Sequence, residues 1–238
     1  MLTIDHTKSR AFFCFFTFFS IFFFLHCNIS YSAGPVTHLF FAEKWIEQFG
    51  SLEEPARYEF LSGNLFPDIR YLGIVTRIET HEANLTLEDV HSSSTPFLTG
   101  TRLHSYVDEK RDALVETSGI YAWIAPYAQG HEVVLLKLLE DEILYDRIET
   151  LLAKLQVYRI SEPERFTGIP DKVLEKWHFF LYYYLSRRPT QVLREFAEED
   201  QVFLGIPANL LAGWSDAMQQ LAQQPEVLDY MQTLENLL

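Results

Sequence analysis

Cysteine is almost absent from this chain of 238 residues. The only two copies, Cys14 and Cys27, lie close to the N-terminus. If that segment is removed, the remaining chain has no thiol, which excludes both a disulfide scaffold and cysteine chemistry. Any metal ion would then have to be held by histidine, carboxylate or backbone groups.

Positive charge is also scarce. The chain has 19 lysines and arginines against 33 aspartates and glutamates, which gives a net charge of −14. A basic surface for nucleic acid is therefore not expected, and we predict no nucleic-acid partner. The acidic balance does not exclude a phosphate-bearing substrate, because bound cations reverse the local electrostatic potential.

A long apolar run occurs only near the N-terminus, over residues 11–25, behind a basic flank of Lys8 and Arg10. Small residues follow at Ser30, Ser32 and Ala33. This order is typical of a secretory signal peptide, and the run is short for a membrane span of about 20 residues. We predict a signal peptide over residues 1–33 and a secreted or periplasmic protein. A retained N-terminal membrane anchor is the alternative.

Glycine-rich linkers, internal repeats and alternating strand patterns are not found in the rest of the sequence. Apolar residues recur instead at helical spacing, which predicts helices over residues 36–49, 97–112, 132–155, 172–187, 190–200 and 207–236. The polar residues 83–95 indicate a loop. We therefore predict one all-α domain that covers residues 34–238.

What the chain does have is a spaced set of metal-ligating side chains in its first half: His38, Asp68, His81, His104 and Asp108. Neutral imidazole and carboxylate groups are the ligands that zinc and similar divalent ions accept. His104 and Asp108 are four residues apart, so on a helix they share one face. Taken singly, each residue has a simpler explanation as a core, capping or solvated side chain, so the interpretation depends on the set.

In order and local context, these segments resemble the bacterial zinc-dependent phospholipase C family, whose helical fold is shared with S1/P1-type nucleases. The resemblance covers about residues 34–112. It implies that Asp68, His81, His104 and Asp108 hold one zinc ion, with Asp108 bridging to a second ion on His38. It further implies a ligand from the mature N-terminus, which would be Gly34 if cleavage follows Ala33.

The resemblance fails at the family's third zinc, which needs a later histidine and a closing His-x-x-x-Glu. No histidine of this chain has glutamate four residues on. The nearby candidates for a rebuilt site are His131, Glu132, Glu140 and Asp141. We therefore predict two zinc ions rather than three.

The resemblance implies an exported phospholipase C that hydrolyses glycerophospholipids at a membrane surface, with Asp68 as the catalytic carboxylate. Two alternatives stay open: a single-strand nuclease of the same fold, and a catalytically inactive helical binding protein. Arg70, Arg102 and Arg111 lie close in sequence to the ligands and can bind phosphate bidentately. An ion pair with an acidic neighbour is the simpler interpretation of each arginine.

Overall fold

The computed structural model describes residues 32–50, 52–148 and 159–238. Over these residues it is helical without a strand, apart from one isolated bridge between Phe203 and Ile206, which confirms the predicted all-α domain. The predicted signal peptide lies almost wholly outside the described residues. In the part that is described, none of the helices has the length and apolarity needed to cross a membrane.

Twelve α-helices are described, and they are numbered in chain order: α1 (Pro35–Phe49), α2 (Ala56–Leu65), α3 (Arg77–Thr80), α4 (Leu87–His91), α5 (Pro96–Ser118), α6 (Ile120–Ala128), α7 (Glu132–Leu144), α8 (Glu162–Arg165), α9 (Asp171–Leu185), α10 (Pro189–Glu198), α11 (Ala208–Leu221) and α12 (Pro225–Leu234). Two 3₁₀ segments accompany them, Phe66–Leu72 after α2 and Tyr145–Arg147 after α7.

Three boundary predictions were wrong, and local signals at helix ends explain them. The helix predicted over 97–112 continues to Ser118 and ends before Gly119, whose left-handed backbone suits glycine. The predicted loop at 83–95 contains α4, because the side chains of Thr86 and Asp89 form a reciprocal capping box at its start. The predicted helix over 207–236 is two helices, because Pro225 begins a new one at a position where its missing N–H costs nothing. The helix predicted over 132–155 is described only to residue 148, and its last part lies outside the described residues.

Helix α1 runs through the centre of the fold. It contacts α2, α5, α7 and α9, and every residue from Val36 to Ala42 is buried, whatever side of the helix it occupies. A helical segment buried on all sides belongs to the core rather than the surface. His38 is carried on this helix and is only 1% exposed, so the fold places an imidazole in the interior.

The most extensive helix contact is between α2 and α5, and two glycines make it close. A Cβ atom added at Gly100 would lie 2.1 Å from the carbonyl oxygen of Phe60, and one added at Gly63 would lie 2.2 Å from that of Phe97. Neither distance is compatible with a side chain. The backbones therefore approach closely enough for the Asn64 carbonyl, at the end of α2, to reach His104 on α5.

We predict that Gly100→Ala destabilises the protein by about 3 kcal/mol, because its methyl group would force the α2 and α5 backbones apart. Gly213→Ala is the matched control, since Gly213 is also helical but has nothing within 4 Å of an added Cβ. The control should gain about 0.5–1 kcal/mol from helix propensity. Denaturant unfolding measures both changes, and equal stability of the two variants would contradict the close contact.

Candidate metal centre

The five predicted ligands come together at one point of the interior. His38 comes from α1, Asp68 from the first 3₁₀ segment, His81 from the residue after α3, and His104 and Asp108 from α5. Their side chains are at most 6% exposed. Two triads have ligand atoms within 4.8 Å of one another: His38, His104 and Asp108, and Asp68, His81 and His104.

Asp108 lies at the centre, and its two oxygens face different groups. Oδ1 is 3.3 Å from Nε2 of His38 and accepts a hydrogen bond of 2.9 Å from the backbone N–H of Ala33. Oδ2 is 3.3 Å from Nε2 of His81 and 3.7 Å from Nε2 of His104. This division suits a carboxylate that bridges two cations, one on each oxygen.

Neighbouring groups fix the orientation of two of the imidazoles. Nδ1–H of His104 donates to the carbonyl of Asn64 at 2.8 Å, and Nδ1 of His81 is 2.9 Å from the hydroxyl oxygen of Thr80. In both rings Nε2 therefore points to the centre. Outer hydrogen bonds of this kind are what hold metal-ligating histidines in one tautomer and one orientation.

The electrostatics favour a neutral His104 beside an ionised Asp108. Burial, helped by the nearby His38, holds the pKa of His104 well below its usual range, although Asp108 acts in the opposite direction. Burial alone would raise the pKa of Asp108, but the surrounding histidines, His104 foremost, hold it well below its usual value. Neutral imidazole and ionised carboxylate are the forms that bind metal.

Several buried polar atoms at the centre form no hydrogen bond, and they decide whether a cation fits. They are both ring nitrogens of His38 and Nε2 of His81 and of His104; Oδ2 of Asp108 forms no hydrogen bond either, although the guanidinium of Arg77 is 3.2 Å away. An unsatisfied buried group costs about 1–3 kcal/mol, so several in one place are not explained by packing. Divalent cations would satisfy them together, and the residues present therefore fit a metal site.

Asp141 positions the helix that carries His38. Its carboxylate accepts hydrogen bonds from the backbone N–H groups of Val36 and Thr37, at 3.3 and 2.8 Å, and from the hydroxyl groups of Thr37 and Tyr184. Burial raises the pKa of Asp141 to about 6, although these hydrogen bonds oppose the shift. A Cβ atom at Gly34 would lie 2.3 Å from this carboxylate, so glycine is required there.

The other candidates for a third metal site also have structural partners. Glu140 forms an ion pair with the buried Arg111, whose Nε–H is 2.8 and 3.0 Å from its two oxygens, and it accepts a hydrogen bond from Tyr230. Glu132 accepts from the backbone N–H of Gly130, and the ring of His131 lies near Trp214. None of these side chains belongs to either triad of converging ligand atoms in the described residues.

The arginines singled out in the sequence divide into two groups. Arg111 pairs with Glu140, and Arg102 pairs with Glu82 at 3.1 Å, so both are ordinary ion pairs. Arg70 instead donates to Asp68 at 3.1 Å and lies at the edge of the metal centre. A fourth arginine, Arg77, was missed: its guanidinium is 3.2 Å from Oδ2 of Asp108 and its side chain is 41% exposed.

Three further residues at this edge were also missed by sequence reasoning: Ser32, Tyr71 and Lys137. They meet through hydrogen bonds of 2.6–2.9 Å. Ser32 and Lys137 are 105 positions apart in the chain. No short motif joins them, so only the fold brings them to the metal centre.

Comparisons with protein-family models, with curated proteins and with solved structures found no match for this chain. The interpretation of the site therefore depends on its own geometry and chemistry.

We predict that zinc raises the unfolding temperature of the metal-free protein and that Asp108→Asn abolishes most of the rise. A ligand at a thousand-fold excess over its Kd stabilises a protein by about 4 kcal/mol, and the variant loses the negative charge that faces His38, His81 and His104. His131→Gln is the control and should keep the full rise. Differential scanning calorimetry measures the shift; an unchanged rise in Asp108→Asn would contradict this site.

Proposed function

We propose that this protein is an exported phosphodiester hydrolase that uses two zinc ions and acts on glycerophospholipids as a phospholipase C. The observation that carries the proposal is the placement of Asp108, with one oxygen facing His38 and the other facing His81 and His104. A set of imidazole and carboxylate ligands without a thiol suits zinc, and a bridging carboxylate suits a pair of ions.

Two divalent ions held here would supply polarisation of a phosphoryl oxygen and a lowered pKa for water. The protein's own contribution centres on Asp68. Its Oδ1 is 3.8 Å from Nε2 of His104 and accepts a hydrogen bond from Arg70. We assign Asp68 the role of orienting the attacking water and accepting its proton, while Arg70 holds the carboxylate in place.

The position of the Ala33 backbone nitrogen supports a metal ligand from the mature N-terminus. The terminal residue would be Ala33, one residue before the Gly34 that the sequence alone indicates. The Ala33 nitrogen lies 2.9 Å from Oδ1 of Asp108, whereas the carbonyl of Gly34 accepts a hydrogen bond from the His38 N–H within the first turn of α1. Cleavage between Ser32 and Ala33 would convert this nitrogen into a neutral or protonated amine. In its neutral form the amine is a further ligand beside His38.

Two exposed isoleucines favour a lipid substrate over single-stranded nucleic acid. Ile74 is 51% exposed and Ile78 is 89% exposed; they flank Arg77 in sequence and precede His81. Apolar side chains around a cation suit the boundary between the headgroups and acyl chains of a membrane. Sequence-independent binding of single strands relies instead on aromatic platforms and a basic groove, and the net charge of −14 argues against the latter.

We predict zinc-dependent hydrolysis of phosphatidylcholine that Asp68→Asn lowers by about 10²–10⁴-fold in kcat. The zinc content of each preparation is measured by mass spectrometry. It distinguishes a variant that has lost only the proton acceptor from one that has also lost a bound zinc ion. Asp216→Asn, at an exposed position of α11, is the control for the same chemical change. Hydrolysis of single-stranded DNA in place of lipid would favour the nuclease. Bound zinc with no turnover of either substrate would favour the inactive binding protein.

We predict that the secreted protein begins at Ala33. Intact-mass and N-terminal sequencing measurements decide this directly. A first residue many positions away from Ala33 would contradict the terminal amine ligand while leaving the five side-chain ligands untouched.

A further inference from the structure

The hydroxyl of Ser32 contacts two positively charged side chains at the edge of the metal centre. Nζ of Lys137 donates to Ser32 Oγ at 2.9 Å, and the guanidinium of Arg70 donates to it at 3.3 Å. The phenol oxygen of Tyr71 is 2.6 Å away. Ser32 itself is fully buried, so this hydroxyl fills an enclosed position.

Two charged donors contact both hydroxyls at this position. Lys137 and Arg70 also donate to the phenol oxygen of Tyr71, both at 2.9 Å. Nη2 of Arg70 has two hydrogens for three acceptors, Asp68, Tyr71 and Ser32, so its contact with Ser32, the longest at 3.3 Å, is the weakest of the three. A charged phosphoryl oxygen accepts such a set of donors better, since charge-assisted hydrogen bonds are shorter and about twice as strong.

Two positive charges converge at this position. Within the described residues Lys137 forms no ion pair, and its hydrogen bonds go to the two neutral hydroxyls of Ser32 and Tyr71. Arg70 shares its charge with Asp68. Asp112 acts on Lys137 electrostatically but not at ion-pair distance, so a bound anion would be the first direct charged partner of this ammonium group.

This position adjoins the metal ligands. Ser32 is followed by Ala33, whose N–H donates to Asp108, and consecutive Cα atoms are about 3.8 Å apart. Arg70 also connects this position to the metal ligands, because one of its nitrogens donates to both Ser32 and the ligand Asp68. An anion bound in place of the Ser32 hydroxyl would therefore lie beside the ions.

We propose that Lys137, Arg70 and Tyr71 form a subsite for a phosphoryl oxygen, and that the Ser32 hydroxyl occupies it until the chain is cleaved between Ser32 and Ala33. The inference rests on the proposed function, which makes the ligand a phosphodiester substrate or its phosphomonoester product. A single cleavage would then create the terminal amine and open the anion subsite together, so the uncleaved protein would be latent.

The test uses the secreted, processed and zinc-loaded protein, with inorganic phosphate and dimethyl phosphate as probes for the monoester and diester states. Lys137→Met should weaken the binding of inorganic phosphate by at least about tenfold in isothermal titration calorimetry, because a charged hydrogen bond is lost. Lys137→Arg should restore it to within about threefold. Zinc content should stay the same in all variants.

Lys176→Met is the matched control, because it removes the same charge from an exposed position on α9. It should bind phosphate like the unaltered protein. Unchanged phosphate affinity in Lys137→Met would overturn the subsite. Weaker binding of inorganic phosphate alone would assign the subsite to the product, and weaker binding of both probes would assign it to substrate and product.

A second measurement tests the role of Ser32. Uncleaved protein, purified in detergent from cells with inhibited signal peptidase, should bind inorganic phosphate at least about tenfold more weakly than the processed form. Ser32→Gly in the same uncleaved protein should bind it more tightly than the uncleaved protein that retains Ser32. Equal binding by the processed and uncleaved forms would overturn the latency.

The two proposals fail in different ways. If Lys137→Met loses phosphate affinity but no phosphodiester is hydrolysed, the subsite stands and the proposed enzyme does not. If zinc-dependent hydrolysis is present and Lys137→Met binds phosphate normally, the enzyme stands and the subsite does not.

Discussion

The buried carboxylate of Asp108 is the constraint on which the rest of the structure depends. An ionised group that is fully shielded from water is costly unless positive charge compensates it. His104 does not supply that charge as an imidazolium ion, since burial holds its pKa well below its usual range. Arg77 reaches only one of the two oxygens, from the solvent side. Metal cations satisfy the carboxylate and the unpaired imidazole nitrogens together.

The scaffold around Asp108 serves to place ligands. The glycine contact between α2 and α5 brings the Asn64 carbonyl to His104, and the Asp141 carboxylate holds the first turn of α1, where His38 lies. The buried ion pair of Arg111 and Glu140 joins α5 to α7, so the helix with two ligands is fixed against its neighbour. Each contact stabilises the fold and also sets the position of an imidazole or a carboxylate.

Sequence reasoning reached the helices because their signals are local, and it reached the five converging side chains because their order and context resemble a known family. Helical spacing, proline and glycine boundaries, and the offset of His104 and Asp108 can be read within short windows. Local signals could not show that Glu140 and Asp141 already have structural partners. Nor could they show that Lys137 meets Ser32, since that contact depends on how α7 packs against the start of α1. The fold class was therefore predictable, whereas the electrostatic surroundings of the site were not.

The central claim is that Asp108 bridges two cations. Anomalous diffraction at the zinc edge from crystals of the secreted protein tests it most directly. The account predicts two peaks, one beside Oδ1 of Asp108 and His38, and the other beside Oδ2, His81 and His104. A single peak, or peaks located away from Asp108, would contradict it.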